Sequence, residues 1–345
     1  MRCAGVACLI LLISGAGRGT ADTSRAAELS RIFADMANDL RSPDIEVRKQ
    51  AVADFNAAAG QIFVAVRSLS QALKDPNPDV QARAARALAD MGILKPAVPI
   101  LIEVLRGNNK EVRLEAVMAL GNIGPVTPDV VPALMQALND PDLEVAIKAA
   151  AALGMVGPAA KEAVPALIKV VKAKGNNPNN QLQLDLRSRA AISLGEIGFD
   201  AKDAVPTLLK ILAGSENREL QSCVLYPLGK IGAHEKLVVP TLIEVFKDEK
   251  RQDLRPGAAI ALGRFGPRAK PAVPVLAEAL LGSSSTAPRQ SRQIQEAVLT
   301  ALKWIGPDAS ASASAVAKLL EDPTLDASLR AAAEQTLKAV QPKPP

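Results

Sequence analysis

Residues able to do chemistry are few in this chain. The only histidine is His234, next to Glu235, and cysteine occurs only at Cys3, Cys8 and Cys223. A Ser-His-Asp or Cys-His arrangement would have to be assembled around that single imidazole, and a zinc shell draws several ligands from His and Cys. No G-x-x-x-x-G-K-[ST] phosphate loop occurs, and Gly15, Gly17 and Gly19 have neither its spacing nor a preceding strand. The carboxylates are more suggestive. Glu46, Asp79, Glu111, Glu144, Asp185, Glu219 and Asp253 recur at near-regular intervals, as a metal or substrate row would. Each of them, however, directly precedes an apolar anchor residue, and three positions before an anchor stand Asp44, Asn77, Asn109, Asp142, Asn217, Ser291 and Asp326. A short acceptor side chain followed by an acid is the chemistry of a helix start, the first capping free N–H groups and the second complementing the helix dipole. The row is read in that way, with no catalytic, metal or cofactor-binding residue and no enzyme activity expected.

The elements that position these residues form a repeat. Its first half carries Val-Pro at Val98, Val131, Val164, Val205, Val239 and Val273, followed by apolar residues at the spacing of one helical face. Proline there falls in a first turn, where its missing N–H costs nothing. The second half is anchored at Val47, Val80, Val112, Val145, Leu186, Leu220, Leu254, Ile294 and Leu329. Successive anchors are 33, 32, 33, 41, 34, 34, 40 and 35 residues apart. Four positions after each anchor comes Ala or Val, which lets neighbouring backbones approach. Many second helices end in Gly-x-x-Gly, as at Gly154/Gly157 and Gly263/Gly266, whose second glycine suits a left-handed C-cap. Nine helix pairs follow, and the chain reads as all-α. The two long spacings place insertions around Lys174–Gln183 and Gly282–Gln293, between the helices of repeats five and eight.

This pattern resembles the HEAT repeat, in the short form also named after phycobilisome lyases, over roughly residues 28–340. The resemblance implies a right-handed α–α superhelix. The family commonly carries arginine just after the second-helix anchor as a structural ladder; Arg48, Arg113, Arg187, Arg255 and Arg330 match it, whereas Gln81, Ala146, Gln221 and Gln295 depart. A HEAT-like enzyme, deoxyhypusine hydroxylase, holds iron with several His-Glu pairs, and the lone His234-Glu235 cannot supply such a site. HEAT-like solenoids generally bind on the concave face formed by second helices. Positions six and ten after the anchor lie on a flank away from the core-facing positions. They hold Met118 and Asn122, Met155, Ile192 and Glu196, Tyr226 and Lys230, Ile260 and Arg264, Thr300 and Trp304, including the chain's only Tyr and only Trp. These residues are the expected partner-binding stripe, aromatics and Met being the side chains that carry binding energy. The leading reading is a protein-interaction scaffold; a bilin-lyase-like chromophore or small-ligand binder is the alternative.

Composition bounds the rest. Aromatics are only 2% of the chain, so its apolar contacts fall to Ala, Val, Leu and Ile, which suit thin, closely packed helices. The formal charge of +5 includes Arg2 and Arg18, without which the excess is +3, spread among acids. A nucleic-acid partner is therefore not expected. Residues 1–21 read as a signal peptide: Arg2, the apolar run Cys3–Ile13, then small residues to Ala21. That run is too short to span a bilayer, which takes roughly 20 apolar residues, and no later segment is read as reaching that length. The product is expected to be exported, without stable membrane insertion, and monomeric. Residues 22–340 form the solenoid, with a polar helix near Ala26 and the divergent last unit, where Ser314 replaces the usual Pro, as caps; 341–345 are a loose tail. Cleavage would leave Cys223 as the single cysteine, so stability must come from stacking. N-terminal sequencing of material recovered outside the cytoplasm is expected to place the first residue near Asp22; an intact Met1 form confined to the cytoplasm would overturn the leader assignment.

Overall fold

In a computed structural model the described residues are 98–341 apart from 126, 174–179, 215–216 and 282–287, together with positions 47 and 73. The leader, the helix near Ala26, the first two repeats with their caps Asp44 and Asn77, and the end of the tail lie outside the described residues. Among those described, every regular element is helical. The chain divides into two compact units, Met1–Ala137 and Leu138–Pro345.

The first unit contains α1 (Val98–Val104), α2 (Lys110–Ile123) and α3 (Val130–Ala137). Asn109 caps α2 by accepting the Val112 N–H at 3.0 Å, and Glu111 lies in its first turn. The core face of α2 buries Val112, Ala116, Ala119, Leu120 and Ile123, which are the anchor and its plus-four, -seven, -eight and -eleven positions. α1 and α3 pack against it.

The second unit contains α4 (Leu143–Val156), α5 (Val164–Lys172), α6 (Gln181–Ile197), α7 (Val205–Ala213), α8 (Arg218–Ile231), α9 (Glu235–Lys247), α10 (Arg255–Arg264), α11 (Val273–Leu281), α12 (Pro288–Ile305), α13 (Ala313–Leu320) and α14 (Ala327–Val340). Second helices α4, α6, α8, α10, α12 and α14 pack in sequence on one another. Asp142, Asn217 and Asp326 cap α4, α8 and α14 as expected. The long insertions are only partly loops. α6 begins at Gln181, capped by Asn180, and α12 begins at Pro288, so each runs longer than its 14-residue counterparts α4, α8 and α14. Ser291 is consequently inside α12 and is not a cap, and Asp185 lies in the second turn of α6, where it accepts from Gln181 Nε2 at 3.0 Å.

Two further expectations are corrected. The second glycine of each Gly-x-x-Gly has positive φ, but ψ is −161° at Gly124, −139° at Gly157 and −141° at Gly198, whereas Gly232 is left-handed α. That extended, positive-φ conformation is open essentially to glycine alone. In the second unit Gly157 and Gly198 in this conformation turn the chain directly into seven-residue 3-10 segments, Gly157–Ala163 and Gly198–Ala204, and Gly266 and Gly306, also at positive φ, open the segments Gly266–Ala272 and Gly306–Ser312; the small residues Ala160, Ala201, Ala269 and Ala309 of these segments are buried. After Gly232 there is no such segment. His234, at φ 53°, restarts the helix at Glu235, which leaves Pro240 inside α9 instead of in its first turn. The same geometry divides Leu143–Lys172, which by length and composition could cross a membrane, its mean hydropathy reaching 1.4. Gly157 and the 3-10 segment interrupt it, and over half of its apolar window is buried within the protein.

Successive second helices come into backbone contact nine positions after the anchor. A Cβ on Gly195 would stand 2.8 Å from Pro227 Cα, on Gly229 2.8 Å from Ala261 Cα, and on Gly263 2.6 Å from Ala301 Cα. Each facing residue is seven after its own anchor. Where that position carries a hydroxyl, it also donates back to the preceding helix: Ser193 Oγ to Ala150 O at 2.7 Å, and Thr336 Oγ1 to Leu299 O at 3.1 Å.

Within a repeat, the residue after the anchor reaches the carbonyl end of the first helix. Arg113 donates to Gly107 O and Asn108 O at 3.1 Å, Arg187 to Val171 O at 3.0 Å, and Arg330 to Leu320 O at 2.9 Å. Gln221, a departure from the arginine pattern, donates to Gly214 O and does the same work. Arg255 instead stacks on Phe246, 5.0 Å from the ring centre.

Alanine in place of glycine inside a helix ordinarily stabilises by about 1 kcal/mol. At Gly263 the sign is expected to invert, because the added methyl meets backbone: Gly263→Ala should destabilise by about 1–3 kcal/mol in chemical denaturation. Ser222→Ala, on the exposed side of α8, should be neutral or stabilising. A more stable Gly263→Ala protein would contradict the contact.

Candidate functional site

None of the eleven stripe residues is buried. Met118 and Asn122 lie on the exposed side of α2 in the first unit, and the other nine belong to the second unit. Met155 is 62% exposed on α4 and Trp304 is 42% exposed on α12. Ile192, Glu196, Tyr226, Ile260, Arg264 and Thr300 are half-buried, and Lys230 is exposed.

Four successive second helices bring part of the row into a connected chain. Glu196 on α6 accepts a hydrogen bond from the Tyr226 hydroxyl on α8 and faces Lys230 Nζ at 3.8 Å. The Arg264 guanidinium on α10 lies over the Tyr226 ring at 5.0 Å and over the Trp304 ring at 5.5 Å. The glycines of the helix contacts make this possible. Tyr226 Cε1 lies 3.4 Å from where a Cβ would sit on Gly195; at Gly229 the corresponding neighbour is Arg264 Cδ, and at Gly263 it is Trp304 Cε3, both at 3.0 Å. Flat side chains therefore lie directly on bare helix backbone. The Glu196–Lys230 pair is more than a third exposed and contributes little stability. The cation–π stack contributes on the order of 0.5–1 kcal/mol at each ring.

The remaining chemistry-bearing residues sit at helix starts and turns. His234 is exposed at the turn before α9, and Glu235 faces Arg268 at 3.9 Å. Glu144 and Glu219 lie in first turns, while Asp253 pairs with Arg218 at 3.6 Å. No three His, Cys, Asp or Glu side chains among the described residues converge on one point where a metal could sit.

Two features lay outside the sequence reading. Phe199 is 64% exposed beneath Lys202 Nζ at 5.8 Å; it stands where other repeats have Pro158, Pro267 or Pro307, a substitution visible in the sequence. A cavity of about 570 Å³ opens near the C-terminal ends of α5 and α7, lined by Val171, Lys172, Arg187, Lys210, Ile211 and Leu220 among others. Its lining is drawn from four consecutive helices of two adjacent repeats, so no single motif announces it.

The Tyr226 phenol is held above its ordinary value near 10, chiefly by burial, then by its hydrogen bond to Glu196 and that carboxylate's charge, with Arg264 pulling the other way. The contribution to stability is complete below the unfolded-state value and is lost as pH rises through the folded one. As the only tyrosine, it is expected to give a single phenolate absorbance transition with its midpoint above 10. Glu196→Gln should lower that midpoint without erasing the shift, since burial remains. A midpoint at or below the ordinary value would disprove the buried geometry.

Comparison with known proteins places this architecture. The family description "HEAT repeats" matches residues 98–178 and 183–263, and "PBS lyase HEAT-like repeat" matches 80–107. No curated protein matches the chain by sequence. Among solved structures, importin β aligns at TM-score 0.56 and 15% identity over 96% of this chain and 46% of its own. The importin Kap95p, from a structure with RanGDP, aligns at 0.55 and 14% over 96% and 50%. The CpcE–CpcF phycocyanin lyase complex of Nostoc sp. PCC7120 aligns at 0.42 and 22% over 80% and 94%. The chain thus spans about half the length of the importins it matches. Their likeness fixes the fold as an all-α superhelix, and with the family matches over residues 80–178 and 183–263, more than half of the 345 residues, the chain is a HEAT-repeat protein.

Proposed function

We propose that this protein is an exported, non-catalytic interaction scaffold that binds a protein partner along the exposed flank of its second helices. The observation that carries the reading is the half-exposed chain of Glu196, Tyr226, Arg264 and Trp304. A protein with eight aromatic residues in all places its only Tyr and only Trp there, around one guanidinium. Solvent-facing aromatics with an intervening arginine are the composition of binding hot spots. Within the second unit, second helices pack on one another more extensively than first helices do. A repeat stack curves toward its closer-packed side, which supports placing the flank on the concave side. The likeness to importins adds that a HEAT superhelix suits such a role. The order of charge, apolar run and small residues in 1–21 supports export.

A small-ligand reading is favoured by the 570 Å³ cavity, which falls in the usual range for ligand sites. Absorbance or native mass measurement of the purified protein would reveal a retained chromophore and shift the assignment.

Affinity capture from envelope extract, with wild-type protein and with the Tyr226→Ala/Trp304→Ala variant, tests the scaffold reading. Loss of the captured partner by about tenfold or more with at most a small fall in melting temperature is expected, since each hot-spot aromatic contributes about 2 kcal/mol to binding and the stack only on the order of 0.5–1 kcal/mol at each ring. A large fall in melting temperature would assign both rings to the stack, and undiminished capture would move the partner surface elsewhere.

A further inference from the structure

Arg264 differs from the other charged members of its row. Glu196 has Tyr226 and Lys230 as partners. Arg264 lies between two aromatic rings, and among the described residues no carboxylate forms an ion pair with it. Its Nε is buried without a hydrogen-bond partner. Arg264 Cδ lies against the Gly229 backbone and its guanidinium lies near both rings, which leaves the terminal N–H groups beyond the buried Nε as the recognition edge. A guanidinium fixed in this manner has lost its side-chain freedom before any partner arrives, so an incoming acceptor encounters a preorganised fork.

We propose that Arg264 is the position that selects the partner, by taking the carboxylate of an acidic side chain flanked by apolar residues. This rests on the scaffold reading above and names the chemistry of its partner. A carboxylate is planar, singly charged and matches the guanidinium fork. A phosphate dianion fits less well, because Glu196 shares the Tyr226 contact with Arg264 and repels a second negative charge. Ile260, one turn before Arg264 on α10, and the exposed face of Trp304 receive the apolar neighbours of that acid.

Selection of a displayed random-peptide library on the immobilised full mature chain tests this whatever the natural partner is. Wild-type protein is expected to enrich Asp or Glu at one position between apolar residues, and selection on Arg264→Gln should lose the acid while keeping the apolar preference. For a synthetic peptide from the wild-type pool, the Glu form should bind about tenfold or more tightly than its Gln form, as expected for one bidentate charged pair. The emission of Trp304, the only tryptophan, reports the binding directly. Arg264→Lys, which keeps the charge and loses the fork, should retain only part of that ratio and serves where Arg264→Gln does not fold. Peptides without acid enrichment, or an acid preference that survives in Arg264→Gln, would overturn the proposal and leave the scaffold reading standing. Peptides that bind Tyr226→Ala/Trp304→Ala as well as wild type, or a library that yields no binder, would overturn both.

Discussion

Backbone contact between successive second helices governs the described part of the second unit. Helices with ordinary side chains pack with axes about 8–10 Å apart, and the approach of Gly195 to Pro227, Gly229 to Ala261 and Gly263 to Ala301 leaves no room even for a methyl group. At these three contacts position plus-nine must then be glycine, although α12 carries Lys303 there, and position plus-seven is small throughout. Ala152, Ser193, Pro227, Ala261, Ala301 and Thr336 occupy the latter. Ser193 and Thr336 show why a hydroxyl is tolerated there: each donates to a carbonyl of the helix before it and leaves no buried polar group unpaired. A chain with so few aromatics is suited to this packing, because its contact area comes from many short apolar side chains at close range.

Much of this was legible because a repeat states its rules several times. Asn109, Asp142, Asn217 and Asp326 all cap from the same register, and the buried face of α2 falls on the positions that periodicity assigns. What escaped was local and singular. Ser291 has the right residue type and spacing for a cap, but the helix had already begun at Pro288, a proline suited to a first turn. The 3-10 segments were hidden because Gly-Pro reads as a stop, whereas the glycine's extended positive-φ geometry directs the chain into a tighter helix lined with buried alanine. Gln221 reads as a break in an arginine ladder, yet the requirement is for a donor long enough to reach the first helix's last carbonyl, and glutamine meets it. The row at plus-six and plus-ten was legible as a row. Its internal order was not, since which ring meets which guanidinium depends on the offset between neighbouring helices.

That offset ties the candidate site to the fold. The plus-nine glycines that let helices touch also expose the strips of backbone on which Tyr226, Arg264 and Trp304 lie. A larger residue at plus-nine would push the helices apart and lift the flat side chains from their seats together. Conversely, the rings cover helix backbone that the glycines leave bare, so truncating a ring would expose polar backbone as well as remove a contact surface. Stability and recognition therefore draw on the same close approach. The surface can vary in which flat side chains it presents, but not in the glycines that seat them. Arg264 shows the consequence: its side chain is held by Tyr226 and Gly229 of α8 and by Trp304 of α12, the helices on either side, so its orientation is a property of the stacked repeats and not of α10 alone.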